Sequence, residues 1–244
     1  MLLSVAPLFN SAAIPGIARI GLSFFAAFVV FPGVSQSGYP IPENVLAYVL
    51  LIVGEGLIGV TIGFLLVAYF AVFQTAGQFF SLQMGFGASQ VFDPLAQVSI
   101  PLTGQFFNMI AMMVFVMIEG FQKVFLTGVH HSFRSIRAID FVLYRNDIVT
   151  LVVSSLSSLF TQAMVLALPI LGTLFLASVT MGLLAKAAPQ MNLLMLGFPL
   201  NIGLAYLVMF LALPFILEGF AAVINGSFER LGIMFDMVLE GGNE

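Results

Sequence analysis

Glu55 is a single acid in the apolar run from Asn44 to Phe73, flanked by Gly54 and Gly56. A carboxylate is costly to keep charged in such surroundings, so it must be neutral, paired or wet. One chemistry open to it is an ion or proton relay. The other state is a protonated acid hydrogen-bonded to neighbouring backbone, and it is favoured because no second acid or His lies at relay spacing within the apolar runs. His130 and His131 are the two histidines of the chain. Adjacent residues on a helix point about 100° apart, so an interfacial cationic segment accounts for them better than a metal pair. Ser89, in Gly87-Ala-Ser89, has the small-residue setting of a serine nucleophile, but that chemistry needs a general base beside it, and both His lie in a different, polar segment. Thr150, Ser154, Ser157, Ser158 and Thr161 put hydroxyls on one side of an apolar helix, either to line a wet pathway or to meet another helix. No Gly-rich phosphate loop with a following Lys is present, so any nucleotide energy enters elsewhere.

The stretch Gln74-Thr-Ala-Gly-Gln-Phe-Phe-Ser-Leu-Gln-Met-Gly-Phe-Gly-Ala-Ser-Gln-Val-Phe-Asp-Pro94 is rich in glycine and amides, and its one charge is Asp93. Very apolar sequence flanks it. Glycine-studded backbone at membrane depth is tolerated only where protein buries it or where it lines a cavity. The stretch therefore points to a pore, a gate or a buried polar core. Phe79, Phe80, Met84, Phe86 and Phe92 surround the glycines. Bulky apolar residues on flexible backbone close a pore by steric block and dewetting; the same residues equally pack a buried re-entrant loop.

Composition sets the elements that must position these groups. The chain has 244 residues, 61% apolar and 7% charged, against roughly 25% charged in a soluble domain. Seven basic and eleven acidic side chains cannot clothe a soluble surface of this size, so the chain is membrane-embedded or buried among equally apolar partners. The seven basic residues form no stripe, which excludes nucleic-acid binding. The absence of Cys removes disulfides, thiolate metal sites and Cys nucleophiles. Arg19 is the first basic residue and Pro7 interrupts the first apolar run, which is not the pattern of a signal peptide.

Ile17 to Phe31 is apolar but shorter than the ~20 residues a spanning helix needs. Pro32, Gly33, Gly38, Pro40 and Pro42 mark a turn-rich loop. Asn44 to Phe73 is long enough to span, and Leu102 to Ile118 is again short. Glu119 to Asp147 is the charge-rich interior segment, with Lys123, Arg134, Arg137 and Arg145 against Glu119, Asp140 and Asp147; such a basic group faces the cytoplasm by the positive-inside rule. Ile148 to Ala185 is uncharged and broken at Pro169. Lys186 to Gln190 is a tight turn, and Met191 to Leu217 is apolar with Pro199 and Pro214. From Glu218 to Glu240, Phe220, Val223, Ile224, Phe228, Leu231, Met234, Phe235 and Val238 recur at helical spacing, with Asn225, Glu229, Asp236 and Glu240 opposite. That is an amphipathic helix for a membrane surface or a partner. The expected fold is all-α, with no internal repeat and no split into independent domains.

Several separated motifs, in order along nearly the whole chain, resemble the family of the flagellar biosynthetic protein FliR, which includes export-apparatus subunits of virulence type III secretion systems. They are Gly54-Glu-Gly-Leu-Ile-Gly-Val-Thr-Ile-Gly63, Gln74-Thr-Ala-Gly-Gln78, Leu82-Gln-Met-Gly85, Phe92-Asp-Pro94, Leu183-Leu-Ala-Lys-Ala-Ala-Pro-Gln-Met191, the turn Ala6-Pro-Leu-Phe9 with Ile14-Pro15, and Gly197-Phe-Pro-Leu200. Family members begin with about one further apolar helical segment before the first turn, so the expectation is a late-assigned start or a shortened first helix.

The resemblance implies an integral membrane export-gate protein of bent helical hairpins, standing largely out of the bilayer plane, with a re-entrant glycine-rich plug loop. Residues 1–244 would be one export-gate unit, with the plug at 83–98 and the amphipathic helix at 218–240. It would be a non-enzymatic subunit of the flagellar type III export gate, without cofactor or metal, in the bacterial cytoplasmic (inner) membrane at the flagellar basal body. FliP, FliQ and FlhB would be its partners, beside membrane lipid, and unfolded flagellar proteins its cargo. Gln83, Met84, Gly85, Phe86, Gly87, Phe92, Asp93 and Pro94 map to the pore or gate: Met84, Phe86 and Phe92 as bulk, Gly85 and Gly87 as flexible backbone, Asp93 and Pro94 as the closing turn. Glu55, Gly59, Gly63, Lys186, Pro189 and Gln190 are expected as buried polar or packing positions; Gly59 and Gly63 form a small-xxx-small pair for close helix approach. The alternative is a polytopic secondary transporter or small-solute channel, which calls for a two-half repeat and a convergent ion site that the sequence does not display.

Overall fold

The structure, a computed structural model, describes residues 1–7, 9, 14–36, 41–85, 102–190 and 193–241. It is all-α, and among the described residues there is no strand. The elements are α1 Leu2–Val5, α2 Gly16–Gln36, α3 Val45–Gln83, α4 Leu102–Met117, α5 Gly120–Lys123, a π-helical stretch Val124–His131, α6 Ser132–Ser135, α7 Ala138–Leu143, α8 Arg145–Ala187, α9 Leu193–Leu211 and α10 Leu213–Gly241.

Helix continues through several expected breaks. α2 includes Pro32 and Gly33, so the run expected to be short is a 20-residue span candidate. α8 is unbroken over 43 residues with Pro169 inside it. A proline removes one N–H from the ladder and crowds the carbonyl four residues earlier. Apolar helices tolerate that cost, and Thr173 Oγ1, one turn on, donates to the Pro169 carbonyl itself at 2.9 Å. α9 likewise contains Pro199. Pro214 falls in the first turn of α10, where no donor is lost. The first half of the glycine-amide stretch is also helical, because α3 runs on to Gln83. At its start the Asn44 side-chain oxygen accepts the Leu46 N–H at 2.9 Å, a cap for an otherwise unpaired donor.

Three helices are long and apolar enough to cross a membrane: Gly16–Ser35, Val45–Gln83 and Arg145–Ala187, with mean hydropathies of 1.9, 2.3 and 2.1. Two sharply bent pairs, α4 with the helix after Glu119 and α9 with α10, meet the same test jointly. The 39 residues of α3 extend about 58 Å at 1.5 Å per residue. Even tilted by about 40°, they rise some 44 Å across a hydrocarbon layer of about 30 Å. A spanning α3 therefore projects beyond the layer.

The described chain forms two compact units, each assembled from separate stretches of sequence. The first comprises Met1–Phe70, Phe115–Ser158 and Val223–Glu244. Its N-terminal helix lies on the small-residue face of α3. A Cβ built on Gly63 would stand 2.8 Å from Val5 Cβ and 3.2 Å from Leu2 O, and one on Gly59 would stand 3.0 Å from Leu2 N. Rings of Phe70, Phe115, Phe121 and Phe9 follow one another edge to face at centroid distances of 5.6, 5.4 and 5.4 Å, a favoured aromatic geometry. Glu119 turns the chain with a left-handed φ of 59°. Lys123 Nζ donates to Asn225 Oδ1 at 2.7 Å.

The second unit comprises Ala71–Val114 and Leu159–Ala222. Its core holds Phe73, Phe80, Phe107 and Phe220 with Ala163, Leu166, Ala167, Ile170, Leu174 and Ile216, all buried. The amphipathic segment from Glu218 forms part of α10, and from Val223 on it belongs to the first unit. All eight of its periodic apolar residues are buried within the chain, so that face is covered by the chain's own helices rather than kept for a membrane surface or partner.

Replacing Gly63 by Leu would force Val5 and Leu2 off α3, at a cost of about 1–3 kcal/mol for overpacking. Gly172, deep in α8, has nothing within 4 Å of a new Cβ. Gly172→Ala is expected to be neutral or to stabilise by up to about 1 kcal/mol. Thermal unfolding in detergent should lower the midpoint for Gly63→Leu alone; equal shifts would remove the packing role of Gly63.

Candidate functional site: the root of the glycine-rich stretch

In the last turns of α3 small and large residues share one buried face. Phe73, Ala76, Gly77, Phe80 and Met84 recur at three- and four-residue spacing and are buried, while Gln74 and Leu82 are exposed. The absence of a side chain at Gly77 brings the first turn of α4 to backbone contact. A Cβ on Gly77 would lie 2.5 Å from Gly104 Cα and 2.8 Å from Thr103 O, and one on Gly104 would lie 3.0 Å from Gln74 O. At the same point Thr103 Oγ1, buried, donates to Gly77 O at 3.0 Å. Four phenylalanines pack beside this crossing. Phe73 meets Phe220 at 4.5 Å, Phe220 meets Phe107 at 5.3 Å and Phe107 meets Phe80 at 5.1 Å; each ring is at most 1% exposed. Together they clamp α3 and α4 to each other, just outside residues 86–101.

The end of α3 is fixed by a second contact. Met84 N–H bonds to Phe80 O at 2.9 Å and Gly85 N–H to Leu82 O at 3.1 Å, tightening the last turn. Gly85 then takes φ +94°, a left-handed conformation that costs an L side chain roughly 1–2 kcal/mol. The Phe198 ring of α9 fills the space where a Gly85 side chain would go. Asn201 Nδ2, one turn further along α9, donates to Gln83 O at 3.4 Å, reaching one of the carbonyls a helix end leaves open. Two of the quoted motifs, Leu82 to Gly85 and Gly197 to Leu200, therefore meet at this point.

Of the expected gate residues, Gln83 and Gly85 are half-buried and Met84 is 1% exposed. Met84 thus packs into the second unit at the end of α3. Phe86, Gly87, Phe92, Asp93 and Pro94, and with them Ser89, lie outside the described residues. Glu55 is partly buried on α3 near Gly59, in the first unit. Lys186, Pro189 and Gln190, expected as buried or packing positions, are exposed. Lys186 occupies the last turn of α8, where a cation suits the negative end of the helix dipole and keeps its head in solvent. His131 stacks on Phe235 at 5.4 Å and 20°, so its ring packs on an aromatic face. The hydroxyls of Thr150, Ser154 and Ser158 donate to Asn146, Leu151 and Ser155 carbonyls of their own helix at 2.7–2.9 Å.

Thr103, Gly104, Phe198 and Asn201 were not singled out by sequence reasoning. The available signal was weak: a glycine in the first turn of α4, and a Gly197-Phe-Pro-Leu200 motif with no partner to read.

Among its described residues this arrangement is one of close backbone contact, buried rings and a seated helix end. The model for the bacterial export proteins, family 1, matches residues 1–227. The chain belongs to the bacterial export proteins, family 1. The flagellar biosynthetic protein FliR of Bacillus subtilis (strain 168) is 30% identical over 213 residues, covering 86% of this chain and 81% of that protein. Those of Borreliella burgdorferi and Escherichia coli (strain K12) are 30% identical over 194 residues and 27% over 215. They cover 79% and 88% of this chain, and 72% and 81% of the relatives. As a family 1 export protein of the FliR kind, the chain is a membrane-associated component of flagellar biosynthesis, with helices able to span the membrane.

Within this family 1 protein, Gly77→Ala and Gly104→Ala are each expected to destabilise by about 1–3 kcal/mol. Because both insert a methyl into one contact, the double variant should cost less than the sum. Thr103→Val should cost about 1 kcal/mol. Chemical unfolding of the purified protein in detergent measures all four; strict additivity would argue against the backbone contact.

Proposed function

We propose that this chain is a non-enzymatic subunit of the flagellar type III export gate, acting as one unit over residues 1–244, and that residues 83–98 close the channel through which unfolded flagellar proteins pass. Membership of the export family supports the process. The carrying observation for the plug is the double fixing of its root: α3 and α4 meet at Gly77 and Gly104, and Gly85 is seated under Phe198. A stopper must resist the pressure of ions and cargo while its tip stays movable. In this reading Gln83, Met84 and Gly85 are the fixed base. Phe86 and Phe92 are the sealing bulk, Gly87 the flexible link, and Asp93 with Pro94 the turn that ends the tip.

The natural partners are FliP and FliQ in the gate, with FlhB associated, in the bacterial inner membrane at the flagellar basal body. The outward faces suit such company. Ile17, Ile20, Phe24, Phe25, Phe28 and Phe31 of α2 are all more than half exposed, and an apolar patch of that kind marks a membrane or protein contact.

Deleting residues 86–98 removes the tip and leaves the packed base. The assembled gate should then conduct ions in the resting state, read as current across a planar bilayer or as salt sensitivity of cells. Unchanged conductance would count against the plug. Gly85→Ala should reduce export and raise leak together, because it disturbs the base as well as the tip. Phe198→Ala should rescue it only in part, since the φ cost remains after the ring is gone. Affinity purification in mild detergent should bring down FliP- and FliQ-like chains, and a lone monomer that moves a small solute would favour the transporter reading.

A further inference from the structure

In the first unit α3 and α7 border an apolar groove that none of the roles above uses. Ile41, Pro42, Leu50, Val53, Leu57 and Ile139 wall it, and its volume is about 660 Å³, within the roughly 300–1,000 Å³ of small-ligand sites. Gly54 sets the floor: a Cβ there would stand 2.6 Å from Ala138 Cβ, so α7 rests directly on α3. The groove contains one charged residue, Arg137, which is exposed. Asp140, the nearest acid in sequence, spends Oδ2 on the Arg137 backbone N–H at 2.9 Å, and among the described residues the Arg137 guanidinium has no ion pair.

We propose that this groove binds an anionic phospholipid, with one acyl chain along the aliphatic walls and the phosphate on Arg137. A long apolar body with one anionic end matches a site with aliphatic walls and one cation. Leu50, Val53, Leu57 and Ile139 are each at least half exposed, and α3 is apolar enough to span, so lipid tails reach them. The guanidinium fork takes two phosphate oxygens at once. Basic pockets beside spanning helices on the cytoplasmic side bind anionic headgroups. A partner helix fits less well: at about 10 Å across, roughly one and a half turns would fill the volume. The site needs only residence in a bilayer and stands apart from the export-gate reading.

The test is native mass spectrometry of the full chain in mild detergent, with phosphatidylglycerol or phosphatidylcholine of identical acyl chains. Phosphatidylglycerol should be retained about fivefold more, the factor that about 1 kcal/mol per basic residue near an anionic surface gives. Arg137→Gln should bring the ratio to about one, Arg137→Lys should keep part of it, and Leu57→Trp should weaken both lipids together. Circular dichroism identical to wild type shows that the variants fold. A wild-type ratio near one, or a preference surviving Arg137→Gln, overturns the proposal. So does displacement of the lipid by inorganic phosphate, which would mark a plain anion site, or capture of a protein instead of lipid by a photo-crosslinker placed at Leu57 in membranes.

Discussion

Backbone contact between α3 and α4 at Gly77 and Gly104 is the constraint on which the arrangement of the second unit rests. Helices at ordinary spacing are held apart by their side chains, about 8–10 Å between axes. Here two glycines remove that spacer, and a Cβ on either would collide with the other helix's backbone. Once the axes are this close, Thr103 reaches the Gly77 carbonyl and Phe80 reaches Phe107. In lipid no hydrophobic gain drives helices together, so such van der Waals and hydrogen-bond contacts carry the association. The same device recurs in the first unit, where Gly59 and Gly63 admit Leu2 and Val5.

In the proposed gate, the fixed base and the glycine-rich tip would divide the labour. The base is dense, with four buried rings and a helix end seated under Phe198. The tip carries the residues whose freedom the reading needs. Nothing reactive is required of either part in this reading; His131 packs on Phe235, and Thr150, Ser154 and Ser158 bond within their own helix.

The sequence announced what depends on local period and left unannounced what depends on distant pairing. The eight apolar residues of α10 were readable because their helical spacing alone predicts one buried face, and all eight are buried. What covers that face was not readable: it was assigned to a membrane or partner, and the chain's own helices supply it. Pro32 and Pro169 misled because proline's local cost does not by itself end a long apolar helix, and the rest of the helix that carries it through is not visible at the proline itself. Gly104 and Phe198 carried only a weak signal and Asn201 none, since each acquires its role from a residue far away in sequence. The bulk of Met84 beside a glycine was legible, whereas its burial depends on residues that pack on it from elsewhere in the chain.

The hydroxyls of α8 have one further implication. Thr150, Ser154, Ser158, Thr173, Ser178 and Thr180 each give their proton to a carbonyl of the same helix. What such a helix shows its neighbours is lone pairs and methyls, with the protons spent inward. At these six positions a neighbour is rewarded for bringing N–H groups and gains nothing from bringing carbonyls. These six hydroxyls thus turn a row of potential donors into a row of acceptors, and a helix packing along them is selected by the donors it brings.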